Sequence, residues 1–593
     1  MRDKYDVIVV GSGAAGFSTA DWLHSFGITN ICVVTENINS GTSRNAGSDK
    51  QTYYKLDLCS ESGDSVMKMA QDLQSGGAMN GSDALVEAAN SARCFMRLAE
   101  LGVTFPSDKY GRYVGYRTDH DNTMRATSAG PLTSKYMTEK LQQKVIANGT
   151  PIIDDYRAIR LIVNGGQCYG VICCTHDKYD ILYSKAVILC TGAPAAIYSR
   201  SVYPESQCGA TGLAIEAGAE LANFQEWQYG MASVKFRWNL SGSYQQVIPR
   251  YFSVDRDGNK TEFLADGGNE MYSKVFLKGY QWPFDSAKAE GSSGIDLLVF
   301  KELEKGNRVY LDYTKNPDGF DFDELSDEAK KYLTDADSIA DTPIERLMKL
   351  NPKAVQLYAD HGIDLASEPL EISISAQHNN GGIRTDINSE TSVKCLFAVG
   401  EAAGKFGVYR PGGSALNDTQ VGGLRAALYL KDRLDEIECF DEDLVLPLNP
   451  TVSDKPTLDK MKNMFSLFMS DCAGVYRNYE KIKELLAELE MLKRNFYDYV
   501  TVPDLSFTGE FYSFRLTVLS MIALCRTILS SIDTIGSRGG SISFKNGERI
   551  PENTDYRDYI TVTKGKDITY VPADEIPTES FVFEKLLRET KSK

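Results

Sequence analysis

The sequence is short of metal-binding patterns, of positive charge and of long apolar runs. Its twelve cysteines are dispersed, and none belongs to the Cys-x-x-Cys series that zinc or an iron–sulfur cluster requires. Cys173 and Cys174 are adjacent, on a predicted strand whose alternation turns the two side chains to opposite faces. Buried thiols are the expectation; neither a metal site nor a disulfide framework is predicted. Acidic residues outnumber basic ones, 81 to 64, for a net charge of -17. That balance disfavours nucleic acid and anionic membrane surfaces as partners, and leaves room for a local basic pocket holding a small anion. No polar low-complexity tract and no internal repeat is visible. The apolar run at the amino terminus is too short for a membrane span and is broken by glycines. No small-residue cleavage site follows it. A cytoplasmic protein without membrane insertion is expected.

What is present is a phosphate-binding turn in its full context. Asp6–Val10 reads as a buried strand, followed by Gly11-Ser12-Gly13-Ala14-Ala15-Gly16. A second apolar run, Ile31–Val34, ends near the acidic Glu36, twenty positions after Gly16. This is a dinucleotide-binding fingerprint. Gly11 allows the tight turn, Gly13 lets the backbone approach a pyrophosphate, and Gly16 lets the next helix pack on the strand. Ala14 and Ala15 open that helix, whose free N–H groups and positive dipole end face the phosphates. Glu36 can accept hydrogen bonds from a ribose.

At 593 residues the chain exceeds one core, and two to four domains are expected. Ala186–Cys190 is a buried strand ending in Thr191-Gly192, and Leu396–Val399 has the same form, ending in Gly400-Glu401. Between them lies an aromatic-rich stretch with few clean strand–helix alternations. The predicted architecture is α/β: a Rossmann-like FAD-binding domain (1–225 and 376–435) with an inserted α+β capping domain (226–375). A helical domain (436–545) and a tail with short strands (546–593) follow. Helices are expected at about 422–434, near 458–469 and 482–492, and at about 511–531.

Four segments together resemble the fumarate reductase / succinate dehydrogenase flavoprotein family, which includes L-aspartate oxidases. They are the glycine fingerprint; Thr42-Ser43-Arg44-Asn45-Ala46-Gly47-Ser48; Gly209-Ala210-Thr211-Gly212; and Gly381-Gly382 with Leu396–Gly404 and Arg410-Pro411-Gly412-Gly413-Ser414-Ala415-Leu416. The resemblance implies FAD as the nucleotide. It lays Ser43, Asn45, Ala46, Gly47 and Ser48 along the flavin ring and Ala158 against adenine. Glu401 is suited to a ribityl hydroxyl. Ser414, Ala415 and Leu416, at a helix start after Gly413, are suited to the flavin N1/O2 edge, where a helix dipole stabilises negative charge. No histidine lies between His24 and His120, where quinone-linked members tether FAD, so noncovalent FAD is expected.

The resemblance also implies hydride transfer between flavin N5 and a small, often dicarboxylate, substrate. Arg410 matches the family's carboxylate clamp, against the plainer reading of an arginine bonding loop carbonyls or a structural acid. Elsewhere the match fails. The family's Gln-Tyr-His reads Gln228-Tyr229-Gly230; its second histidine aligns with Gln377, with His378 one place on; and Ser293–Asp296 stands where a proton-delivering arginine belongs. On a regular strand His378 would face the wrong way. It reaches the substrate if the strand bulges, or else is a satisfied structural histidine. His120, between Asp119 and Asp121, reads either as a general acid or as a surface histidine; Tyr229 and Arg250 are other donors considered.

The reading is therefore an FAD-dependent oxidoreductase reducing an activated C=C bond, or running the reverse desaturation, on a small carboxylated substrate other than fumarate or succinate. The alternatives are an oxidase or dehydrogenase acting on a C–N or C–O bond, and a flavoprotein subunit served by a separate electron donor or iron–sulfur partner.

Overall fold

The first sheet grows outward from the amino-terminal strand. In β1 (Asp3–Val10), Val7, Ile8 and Val9 are fully buried, as a parallel strand covered on both faces must be. The computed structural model describes residues 3–59, 63–118, 121, 123–175, 178–438 and 446–578. Helix α1 (Ala14–Ser25) returns the chain to β2 (Ile31–Val34), parallel to β1. β3 (Ile152–Ile153) adds beyond β2. β4 (Arg157–Asn164), β5 (Gln167–Thr175) and β6 (Lys178–Leu189) form an antiparallel meander. β6 is long enough to pair also with β1, and strand Leu396–Ala398 pairs with its far side. The parallel order is thus β3-β2-β1-β6-(396–398), a doubly wound sheet whose strands end at one crevice.

The second sheet is antiparallel and six-stranded. Its long members are β7 (Trp227–Ser233), β8 (Arg250–Val254), β9 (Arg308–Asp312) and β10 (Leu370–Asn379). They run β7-β10-β9-β8, flanked by short strands at 238–239 and 260–261. Trp227, Trp238, Tyr244 and Tyr251 are buried in its core, so the aromatic richness of this stretch is largely structural packing.

Helix α2 (Ser414–Arg433) is one continuous helix rather than the short one expected from residue 422. Helices Leu458–Cys472 and Tyr479–Arg494 precede α3 (Thr508–Thr534). By length and composition α3 could cross a membrane, but 78% of its apolar window is buried inside the protein. The tail does more than decorate. Its hairpin, Tyr559–Lys564 with Asp567–Pro572, pairs onto Leu221–Ala222, which in turn pairs with Gly382–Ile383.

Arg125 anchors Asp121 and the strands and helix around it. It is fully buried and grips Asp64 with two bonds (2.8 and 2.7 Å). Its Nη1 donates to Tyr54 Oη (2.7 Å), Asp72 (2.6 Å) and Asp121 (3.2 Å). Asp64 and Asp121 have fully buried side chains, so losing the guanidinium strands two carboxylates. Arg125→Met is expected to cost about 3–5 kcal/mol in a urea unfolding titration.

Candidate active site

A cleft of about 370 Å³ runs from the β1 turn to Arg410. At its nucleotide end Gly11 adopts φ +112°, and a Cβ there would lie 2.4 Å from the Cys190 carbonyl oxygen. Gly13 and Ala15 line the cleft, and the Ala14 N–H donates to Ser43 Oγ (3.1 Å), joining the turn to the second segment. Glu36 also lines it, paired with Arg157. Ala158, Thr191 and Gly192 complete this end.

Farther along, Ser43, Ala46, Gly47 and Ser48 line the cleft, but Asn45 does not. Its exposed side chain turns back to bond the Asn39 and Gly41 carbonyls (both 3.0 Å). It holds the loop rather than a ligand. Thr211 sits behind the lining residues Gly209 and Ala210 and opens helix Thr211–Glu216. Gly413 takes φ +92° ahead of α2, and Ala415 and Leu416 line the cleft. Ser414 Oγ is buried without a partner. Gly400, at φ +68°, packs against Ala15 and places Glu401 in the wall.

These residues fit FAD. Thr42 Oγ1, Thr191 Oγ1 and Arg157 Nη1 belong to cleft-lining residues and are buried with no protein partner; a phosphate or hydroxyl would satisfy them. At Gly13 a Cβ would lie 3.1 Å from Ser43 Oγ, closing the gap between the two segments that must admit a pyrophosphate.

At the other end Arg410 is held by two neutral amides. Its Nη2 donates to Gln228 Oε1 (2.9 Å) and its Nε to Asn380 Oδ1 (3.2 Å). Burial lowers its pKa to about 10, opposed by Glu401, Tyr203 and Glu87. Glu401 accepts from Tyr203 Oη and from the Asn379 N–H (3.0 Å). Burial pushes its carboxyl up to about 7, opposed by those two bonds and by Arg410.

His378 reaches this end because β10 bulges. Gln228 pairs with His378 but Tyr229 pairs with Ala376, so Gln377 is the extra residue. A bulge breaks the alternation, and Gln377 and His378 both line the cleft. His378 Nδ1 lies 3.0 Å from Asn380 Oδ1, and Nε2 lies 3.8 Å from Glu401 Oε1. Burial, then the Arg410 charge, hold the imidazole well below its ordinary range.

Other residues weighed for catalysis stand apart from it. Tyr229 is buried in the core with its hydroxyl on Tyr198 Oη (2.8 Å) and its ring beside Gly474. Arg250 is spent on Glu262 (2.7 Å) and Asp312 (2.8 Å) at the sheet's outer half. His120 and Asp119 lie outside the described residues; Asp121 is turned onto Thr123 and Arg125. Asp296, in the segment that lacks the family arginine, forms a fully buried pair with Lys278 (2.8 Å).

The missing histidine has a steric counterpart. A Cβ at Gly230 would lie 2.5 Å from the indole of Trp282, so the room a side chain needs is taken by Trp282. Its Nε1 donates to Gln377 Oε1 (2.7 Å). Asn380 and Trp282 are neighbours of Arg410 and Gln377 that the sequence pattern does not single out: one follows His378 by two, the other lies far away in sequence.

Behind the start of α2, Glu87 and Asp418 are buried together, and both carboxyls are held above their ordinary range by burial, Glu87 also by Asp418. A raised folded pKa means the native chain binds more protons than the unfolded one, so this stability is present in acid and lost as pH rises. Asn417 Nδ2 donates to Glu87 Oε1 (3.2 Å), an acceptor that glutamine retains. Glu87→Gln is expected to gain melting temperature relative to the parent on going from about pH 5 to about pH 9, and an unchanged difference would refute the shift.

Residues 6–416 match the model of an FAD-binding domain family, well over half of the chain. The chain belongs to this family. The flavoprotein is 27% identical to a fumarate reductase (CoM/CoB) subunit of Methanothermobacter marburgensis, over 71% of this chain and 72% of that one. It is 22% identical to L-aspartate oxidase of Clostridium perfringens, over 75% and 90%. Its fold superposes on the Mycobacterium smegmatis Sdh1 complex in the apo form with TM-score 0.74 and 18% identity, covering 99% and 98% of the two chains. The resemblance read from the four segments is therefore borne out: the flavoprotein is an FAD-dependent oxidoreductase of the fumarate reductase / succinate dehydrogenase type.

Proposed function

We propose that the flavoprotein reduces an activated C=C bond, or carries out the reverse desaturation, on a small substrate whose carboxylate is oriented by Arg410. When bound, FAD supplies the hydride acceptor or donor at N5. Arg410 carries the reading. It is a guanidinium in the cleft wall, held by neutral amide oxygens, and makes no ion pair among the described residues. A planar fork so fixed suits a carboxylate. Gln228 of β7 and Asn380, just past β10, set its angle.

The titratable pair at this end is His378 and Glu401. With a carboxyl at about 7, Glu401 holds a proton near neutrality and is the proposed proton store on the chain's side. A separate electron donor or partner protein is also proposed, since one relative is named as part of a multi-chain enzyme. FAD is proposed to be noncovalent. The test is anaerobic: a small carboxylated enoate or its saturated counterpart should oxidise or reduce the bound flavin. Substrate-reduced protein that air reoxidises at once, with stoichiometric peroxide, would instead establish an oxidase.

A further inference from the structure

The polarity of the Arg410 end is set by partners that can each do only one thing. An indole N–H can only donate, so Trp282 Nε1 fixes Gln377 with its carbonyl oxygen inward to the indole (2.7 Å). The donating end, Gln377 Nε2, is left buried with no protein acceptor. Arg410 Nε can likewise only donate, so Asn380 meets it with Oδ1 (3.2 Å), and Asn380 Nδ2 donates to the Val408 carbonyl (2.7 Å). His378 Nδ1, 3.0 Å from that same Oδ1, must therefore be a donor. The lone pair of the neutral ring then sits on Nε2, which is buried without a hydrogen bond, 3.8 Å from Glu401 Oε1.

Charge is scarce here. Among the described residues lining the cleft, the lysines and arginines are Arg410 and Arg157 alone, and Arg157 is engaged by Glu36 at the nucleotide end. One fixed positive charge remains for the substrate. A second carboxylate would face a ring lone pair and a neutral amide, giving up its hydration for no counter-charge.

We propose that this site is built for a substrate with a single carboxylate, and that the group lying where a dicarboxylate has its second anion is neutral and both donates and accepts, as a carboxamide does. The carboxamide N–H would serve His378 Nε2, and its oxygen would take the Gln377 Nε2 donor. The inference rests on the carboxylate role given to Arg410 above.

Isothermal titration calorimetry of the FAD-loaded protein with succinate and with its monoamide, succinamate, tests it at matched chain length. Succinamate should bind roughly tenfold tighter or more. Gln377→Leu should bring the ratio of the two affinities close to one without loss of bound FAD, and Arg410→Gln should weaken both ligands. Succinate binding as tightly as succinamate overturns the inference, as does no heat from either. If succinate wins and Arg410→Gln still weakens it, the carboxylate role of Arg410 survives alone; if neither ligand responds to Arg410→Gln, that role falls too.

Discussion

Gly16→Ala is expected to yield protein with less than roughly a tenth of the parent's bound FAD, read as flavin absorbance per polypeptide. A methyl carbon at Gly16 would sit 1.9 Å from the Gly11 carbonyl oxygen and 3.5 Å from Cys190 Cβ. The nearest atom is backbone, in a turn pinned by its own φ of +112° and by the Gly11 N–H on Val34 O (2.8 Å). Neither can yield cheaply, so α1 must lift from β1. That displacement moves the N–H groups at the start of α1, which are the phosphate site. A control separates this from ordinary glycine strain. Gly27, unlike Gly16, has positive φ (+87°), and nothing lies within 4 Å of its added Cβ. Gly27→Ala should cost about 1 kcal/mol and keep its flavin. Full FAD content in Gly16→Ala would remove the turn from the binding site.

The difference between these two glycines shows which parts of the molecule were legible in the sequence. The β1–turn–α1 unit is local: strand, glycine spacing and acid lie within 36 residues, and each position has one physical reason. The parallel sheet could be read for the same reason, because buried strands such as Ile31–Val34 are uninterrupted apolar runs. The substrate end was less legible because it is made by non-local accidents of register. Period-two reasoning turns His378 away, and only the extra residue in β10, seen against Gln228 and Tyr229 of β7, turns it back. Tyr229 is a candidate donor on residue type alone; alternation along β7 turns Gln228 to Arg410 and Tyr229 to the core, where it meets Tyr198. Arg250 has a cation's sequence signature, but its two carboxylate partners come from 12 and 62 residues away. Gly230 reads as a lost histidine; only the packed indole of Trp282 shows what fills the space.

Arg410→Ala is expected to lower kcat/KM for any flavin-oxidising or flavin-reducing carboxylate by roughly a thousandfold, while FAD content and melting temperature change little. The case for a selective effect lies in what the deletion leaves behind. Arg410 touches two amide oxygens, on Gln228 and Asn380, so no carboxylate bonded to it is stranded by its removal. Glu401 keeps its bonds from Tyr203 and Asn379, and with a pKa of about 7 it can stay protonated near neutrality. The flavin cradle lies mostly on other segments, from the β1 turn to the start of α2. Arg410→Lys should recover only part of the loss, because an ammonium restores charge without the fork. A second readout excludes a merely structural role. Burial is the first cause of the low His378 pKa and the Arg410 charge the second, so the substitution should move His378 upward while leaving it below its ordinary value. Followed by NMR of the FAD-loaded protein, an unmoved His378 resonance would mean the two groups do not sense each other, and unchanged kinetics would take Arg410 out of the site altogether.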